Sequence, residues 1–151
     1  MQCVYLGSVT VPALPEDYDG DFGGLFALYL LADKLNDAIT SNLVIDGILR
    51  MSEEVRRVPN GVAITQAYGS TVAGSSLRKL CRDYYVHEAT TEVLENIHED
   101  SFPFQFSQDV MLEFARLARN KTPYDGRVKV KCFDRGRCYY HRHDDEHPKC
   151  C

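Results

Sequence analysis

The chain has 151 residues, of which 44% are hydrophobic and 26% charged, and its net charge is −5. This length normally forms one domain, and this composition excludes a chain that is disordered throughout. The longest strictly apolar run, residues 25–32, is too short to span a bilayer, and the first residues lack the pattern of a signal peptide. We therefore expect no membrane partner.

The charge is unevenly distributed along the chain. Residues 1–115 contain 7 basic and 17 acidic residues, for a charge of −10, whereas residues 116–151 contain 10 basic and 5 acidic residues, for +5. A basic end can bind an anionic partner such as nucleic acid, or it can lie on the acidic part of its own chain. We favour the second interpretation, so nucleic acid is not an expected partner.

The strongest sequence pattern predicts two helices joined by a tight turn. Residues 25–35 are apolar on nearly every side, and residues 38–55 have an apolar stripe opposite a charged face. Between them, Asn36 suits a left-handed turn and Asp37 suits the N-cap of the second helix. Residues 1–24, a short extended segment and an acidic loop rich in proline and glycine, precede this hairpin.

Four further helices are predicted, and Gly69 is expected to stop the first of them. A phenylalanine cluster around Pro103 is expected to plug the core from a loop. The helices begin near Asn60, Ser75, Thr91 and Ser107 and end near residues 68, 88, 97 and 119. The cluster is Phe102, Phe104 and Phe106, and the inward residues of the last helix are Val110, Met111, Phe114, Leu117 and Ala118.

After Pro123 the pattern changes from helical to alternating. Residues 128–133 alternate as a strand does, residues 134–137 suit a turn, and residues 138–140 suit a returning strand. The predicted fold class is therefore mainly α, a small domain of five to six helices with a short extended N-terminal segment and a C-terminal β-hairpin.

The end of the chain also concentrates potential metal ligands. Without a secretory signal, the six cysteines favour reduced thiols or a metal site over disulfides. Cys138 with His141, and His147 with Cys150, have the spacing of zinc-knuckle pairs, and Cys132 could replace one ligand. Only five residues separate the pairs, fewer than in most zinc folds. The alternative is a polar terminus in solvent, with no cofactor.

Two other kinds of function follow from these residues. Residues 127–150 interleave basic and aromatic side chains, so a zinc-stabilised tail would make the chain a nucleic-acid or regulatory binding protein. Cys81 and His87 could form a dispersed catalytic pair, although Cys81 lies on an apolar stripe typical of inert core thiols. No zinc-protease, nucleophile-elbow or phosphate-loop motif occurs, so we do not expect an enzyme.

Residues 28–35, LYLLADKL, resemble a helix of BTB/POZ domains, in particular those of fungal proteins. The resemblance implies a partial BTB/POZ-like region at residues 1–57, a helical extension at 58–120 and a basic Cys/His-rich tail at 121–151. Similar segments of the family match residues 4–7, 43–49, 59–68, 75–89 and 140–150.

Family members have further strands and helices before the segment that matches residues 4–7. That N-terminal half, which supplies much of the family's dimer interface, has no counterpart in this sequence. We expect its absence to expose Leu25, Phe26, Tyr29 and Leu30 as an interaction surface. The resemblance implies a non-enzymatic protein–protein interaction module of the cytoplasm or nucleus, an adaptor whose partner is a cullin-type ubiquitin ligase or another BTB protein.

Overall fold

The computed structural model describes residues 22–95, 102–119, 132 and 137–143. Within these residues the chain forms six α-helices, one 3₁₀ turn and no β-strand, which confirms the predicted mainly helical fold class. The helices are α1 (Gly23–Lys34), α2 (Ala38–Val55), α3 (Gly61–Ser70), α4 (Ser76–His87), α5 (Thr91–Glu95) and α6 (Phe104–Arg119), and the turn is Arg137–Tyr139. None of the described helices is both long and apolar enough to cross a membrane.

The turn between α1 and α2 confirms its local prediction. Asn36 has a φ of 56°, the left-handed conformation that asparagine tolerates well. Asp37 then caps α2, since its carboxylate accepts hydrogen bonds from the amide and hydroxyl of Thr40 at 2.9 and 2.6 Å. The predicted bounds of α2 agree with the structure, and α1 begins two residues earlier than predicted.

The end of α3 differs from the prediction. Gly69 does not stop the helix, which continues to Ser70. The hydroxyl of Thr71 then donates to the carbonyl oxygen of Ala67 at 2.7 Å, and the left-handed residue that reverses the chain is Gly74, with a φ of 83°. The sequence suits either Ser75 or Ser76 to the N-cap of α4, and in the structure Ser75 caps it, accepting from the amide of Arg78 at 3.3 Å.

The start of α6 also differs. Phe104 and Phe106 lie in the first turn of this helix and not in a loop, and Phe102 stacks on Phe106 with ring centroids 5.1 Å apart. Phe106 is buried, as a core plug should be, whereas Phe104 is exposed. Successive helical residues point in different directions, so only part of the predicted cluster can reach the core.

One hydrophobic cluster extends from Phe22 to Tyr140 and includes side chains from all three predicted regions, residues 1–57, 58–120 and 121–151. α1 packs on α2 and α3, while α4 packs on α3 and α6. The predicted second strand at 138–140 is replaced by the 3₁₀ turn and Tyr140, which is buried in this cluster. The remaining residues of the predicted hairpin, apart from Cys132, lie outside the described residues.

Candidate interaction surface

The four residues predicted as an interaction surface on α1 lie in the core. Phe26, Tyr29 and Leu30 are buried, and Leu25 packs against the same cluster. α1 is apolar on most sides, and it packs against α2 and α3 of its own chain. The prediction that this face is exposed is therefore wrong.

Residues 137–143, here called the C-terminal segment, are anchored on α2 by polar side chains. Asn42 makes two hydrogen bonds with the backbone of Arg142: its Nδ2 donates to the carbonyl oxygen at 3.0 Å, and its Oδ1 accepts from the amide at 2.8 Å. One turn along α2, Oδ1 of Asp46 lies 2.9 Å from Nε2 of His141. These contacts hold the segment across a helix that precedes it by about 100 residues.

A buried carboxylate connects the C-terminal segment to α4. The side chain of Asp83 is 0% exposed, and it accepts hydrogen bonds from Arg82 at 2.8 and 2.6 Å and from the Tyr140 hydroxyl at 3.1 Å. Arg82 also lies 3.8 Å from Glu113 of α6. A carboxylate is unfavourable in a protein interior unless it is paired and hydrogen-bonded, so Asp83 depends on its hydrogen bonds with Arg82 and Tyr140.

The residues predicted to bind zinc are only partly brought together. Cys138 is disulfide-bonded, so it cannot offer zinc a thiolate, and the expectation of reduced thiols is wrong at this residue. His141 is engaged in the pair described above, and Cys132 is a buried free thiol. The described residues contain no group of three or more metal-binding side chains, and His147 and Cys150 lie outside them. The zinc site stays a prediction that requires reduction of Cys138.

Cys81 and His87 do not form a catalytic pair on α4. They are six residues apart in one helix, which separates them by about 9 Å along its axis and directs them to different faces. Cys81 is fully buried, and burial raises the pKa of its thiol well above the ordinary value. A buried thiol that stays protonated is a poor nucleophile, so Cys81 is a core residue.

We expect the protein to lose stability as the pH rises above about 8.5, the ordinary pKa of a thiol. Burial raises the pKa of Cys81 and Cys132 well above that value. Both thiols therefore ionise in the unfolded chain while they stay protonated in the folded one. The unfolded state then binds fewer protons, and each thiol lowers the unfolding free energy by up to about 1.4 kcal/mol per pH unit.

Urea unfolding at several pH values between about 8 and 9, below the ordinary pKa of tyrosine, measures this slope. Cys81→Ala should remove close to half of it, because one of the two buried thiols is then absent. A slope that is the same in Cys81→Ala and in the wild type would contradict the prediction.

α6 carries an exposed apolar surface that the sequence did not indicate. Phe106 and Val110 face the core. On the other side of the helix, the exposed fractions are 77% for Phe104, 61% for Met111, 52% for Leu112 and 37% for Phe114. Six exposed apolar residues on this side, here called the α6 outer face, are Phe104, Met111, Leu112, Phe114, Ala115 and Ala118. Two exposed polar residues, Gln108 and Arg119, lie among them on the same side of the helix.

The sequence prediction placed Met111, Phe114 and Ala118 toward the core, and the structure shows that this is wrong. α6 is apolar on two opposite sides, and periodicity cannot tell which side the core covers. Phe104, Met111 and Ala118 recur every seven residues, which places them on one side of the helix but does not show whether that side is exposed.

Arg78 sets the position of α6 beside α3. Its guanidinium donates to the carbonyl oxygen of Tyr68 at 2.6 Å, to the hydroxyl oxygen of Thr71 at 3.1 Å and to Oε1 of Gln105 at 3.1 Å. The Tyr68 hydroxyl donates to Asp109 at 2.9 Å, and burial followed by this carboxylate raises the pKa of Tyr68 above its ordinary value. The α6 outer face is therefore held on a fixed support.

Two grooves border α6. The first has a volume of about 430 Å³ and lies between residues 102–105 and the side of α3 formed by Thr65, Tyr68 and Gly69. The second, of about 210 Å³, lies between α4 and α6 and is lined by four cations, Arg78, Lys79, Arg82 and Arg116, together with Gly74, Asp109 and Leu112. Arg82 and Arg116 lie 3.8 and 3.2 Å from Glu113, which reduces the positive charge at this edge.

No protein-family model, curated protein or solved structure matches this chain. The BTB/POZ resemblance of the sequence therefore stays a prediction. Among the described residues, the α6 outer face is the feature from which a function can be argued.

Proposed function

We propose that this chain is a non-enzymatic protein–protein interaction module of the BTB/POZ type, an adaptor that binds its partner through the α6 outer face. The observation that carries the proposal is the exposure of four large apolar side chains on one side of a single helix. Contiguous apolar surface of a few hundred Å² is typical of sites that bind other macromolecules. Aromatic and methionine side chains, both present on this face, are enriched in protein–protein interfaces.

The contacts on the inner side of α6 favour a binding role for its outer face over a structural one. Phe106 and Arg78 fix the inner side of α6, so the outer side chains are presented without cover from their own helix bundle. A surface on a rigid helix loses little conformational entropy when it binds. The BTB/POZ part of the proposal is supported by the sequence resemblance at residues 28–35 and 43–49, which lie in α1 and α2.

The alternative function, a zinc-stabilised binder of nucleic acid or a regulatory partner through residues 127–150, has less support. Cys138 is in a disulfide and His141 is paired with Asp46, so two of its four ligands are engaged elsewhere.

Photo-crosslinking from α6 tests the proposal. A photoreactive amino acid at Met111 should crosslink a protein, whereas the same group at Val62, which is 76% exposed on α3, should not. The control matters because Val62 is at least as exposed as Met111 and lies outside the α6 outer face.

Mass spectrometry of the crosslinked product identifies the partner class. Recovery of a cullin-type ubiquitin ligase subunit or a BTB protein at Met111 would support the adaptor role, in the cytoplasm or nucleus. Equal crosslinking at Met111 and Val62, or none at Met111, would overturn the proposal that the α6 outer face binds proteins.

A further inference from the structure

We infer that the groove between α4 and α6 binds a phosphate group. This groove has a volume of about 210 Å³, and four of its lining residues are basic: Arg78, Lys79, Arg82 and Arg116. The inference goes beyond the proposed function and does not depend on it, because it rests on the charge of the groove and not on the apolar surface of α6.

Arg78 gives the groove a buried positive charge that has no acidic partner among the described residues. Arg78 is 9% exposed, and every described acceptor of its guanidinium is neutral. These acceptors are the carbonyl oxygens of Tyr68 and Thr71, the hydroxyl of Thr71 and the side-chain amide of Gln105. The helix dipole at the carbonyl end of α3 offsets about half of a unit charge. Because a buried charge is unfavourable unless it is paired, the remainder favours a bound anion.

The other basic residues converge on the same groove from two helices. Arg82 follows Arg78 by one turn of α4, so the two side chains lie on the same side of that helix. Arg116 comes from α6, and Glu113 lies 3.8 Å from Arg82 and 3.2 Å from Arg116. This shared carboxylate holds the two arginines at one edge of the groove. An anion in the groove is therefore within the field of cations from both α4 and α6.

The charge of the groove is opposite in sign to that of the chain. Four basic residues outnumber the three acids that line the groove or pair with its arginines, so a charge of +1 remains, whereas the whole chain carries −5. The three acids are Asp83, Asp109 and Glu113. A larger cavity beside α5, of about 460 Å³, is lined by equal numbers of basic and acidic residues: Arg56, Arg57, Glu88 and Glu92. The groove between α4 and α6 is thus the better of the two for an anion.

Size and charge favour a phosphate group as that anion. The groove is smaller than the cavities of about 300–1,000 Å³ that hold drug-sized ligands, so it suits a group of few atoms. A phosphate group carries about −1.5 to −2 charges at pH 7 and three strong acceptor oxygens, more than a carboxylate offers. Arginine suits this ligand well, because its planar guanidinium donates two parallel hydrogen bonds to a phosphate.

Titration of the ¹⁵N-labelled full chain with inorganic phosphate, followed by two-dimensional NMR, tests the site. Sodium chloride at equal ionic strength is the reference, because it reproduces the screening by the added salt. Phosphate should shift the side-chain Nε–H signals of Arg78, Arg82 and Arg116 and the amide signals of Gly74 and Leu112, all of which line the groove.

Three single substitutions should change the dissociation constant for phosphate in different directions. Arg116→Gln removes a cation and should raise the constant by roughly threefold or more. Glu113→Gln should lower it by roughly threefold or more, since it removes the carboxylate that competes with phosphate for Arg82 and Arg116. Arg50→Gln is the control and should leave the constant unchanged, because Arg50 is an exposed residue of α2, a helix that contributes no residue to the groove. Arg78 is left intact because it also positions α6.

Shifts no larger than those with chloride, or shifts confined to residues outside the groove, would overturn the inference. Equal dissociation constants for Arg116→Gln, Glu113→Gln and Arg50→Gln would also overturn it. Phosphatase treatment of the partner before photo-crosslinking at Met111 identifies the source of the phosphate. Loss of the crosslink assigns the phosphate to a phosphorylated side chain of the partner, and an unchanged crosslink assigns it to a free phosphate compound. A failed phosphate titration leaves the proposed function standing, and a failed crosslink leaves the phosphate site standing.

Discussion

Asp83→Ala is expected to lower the unfolding free energy by about 2–4 kcal/mol, because it removes the charged acceptor of two hydrogen bonds from Arg82 and one from Tyr140. The Asp83 carboxylate is the acceptor for Arg82 and for the hydroxyl of buried Tyr140. A loss of this size is a large part of the total stability of a small domain. Urea unfolding followed by circular dichroism measures the loss directly.

Two milder variants measure how much individual contacts around Asp83 contribute to the unfolding free energy. Tyr140→Phe keeps the ring and removes one hydrogen bond to the carboxylate, so it should cost about 1.5–3 kcal/mol. Glu113→Ala removes the longer contact to Arg82, at 3.8 Å, and should cost less than about 1 kcal/mol. If Asp83→Ala costs no more than Glu113→Ala, the cluster does not connect the C-terminal segment to α4 as described.

Phe106→Ala is expected to cost about 3–5 kcal/mol, whereas Phe104→Ala, two residues away, should change stability by no more than about 0.5 kcal/mol. Phe106 is 1% exposed, and its ring centroid lies 4.9 Å from that of Tyr85, 5.5 Å from that of Tyr68 and 5.1 Å from that of Phe102. Truncation at this residue leaves a cavity among three rings. Phe104 has no such surroundings, because most of its surface is already in water.

The pair Phe104→Ala and Phe106→Ala also separates folding from binding. Phe104→Ala should keep the folded state and weaken the crosslink from Met111 to its partner, whereas Phe106→Ala should weaken both. Urea unfolding and crosslinking of the two variants distinguish these effects. Similar losses of stability in both would show that Phe104 packs in the core, which is the arrangement that the sequence alone predicts.

The features that were predictable from the sequence are local ones. Asn36 and Asp37 specify the turn between α1 and α2 through their own conformational and capping preferences, and Ser75 caps α4 for the same reason. Such preferences act within a few residues, so they can be read without knowing the fold. Gly69 was wrongly predicted to end a helix because local preference is not the only influence there. The helix continues through Gly69 to Ser70, where the hydrogen bonds of Thr71 with Ala67 and Arg78 stabilise its end.

The candidate site was not predictable in the same way. Whether Phe104 or Phe106 reaches the core depends on the residue at which α6 begins and on the position of α3. Residues 102–119 alone determine neither of these. The same holds for Leu25 and Phe26, since apolar side chains of this kind suit a core and an interface equally. The charge pattern was more informative, because the predicted contact of the basic end with the acidic part agrees with Arg142 lying 3.7 Å from Asp33.

The attachment of the C-terminal segment constrains the order in which the protein can assemble. Contacts within α1 and α2 are close in sequence, but Asn42 and Asp46 find partners that follow them by 100 and 95 residues. Contacts of such separation slow folding, because a long loop must close before they contribute. During synthesis, which proceeds from the N-terminus, the helical hairpin can form early. The buried Asp83 acquires its tyrosine partner only after residue 140 has been made, so the core around it cannot close before that point of synthesis.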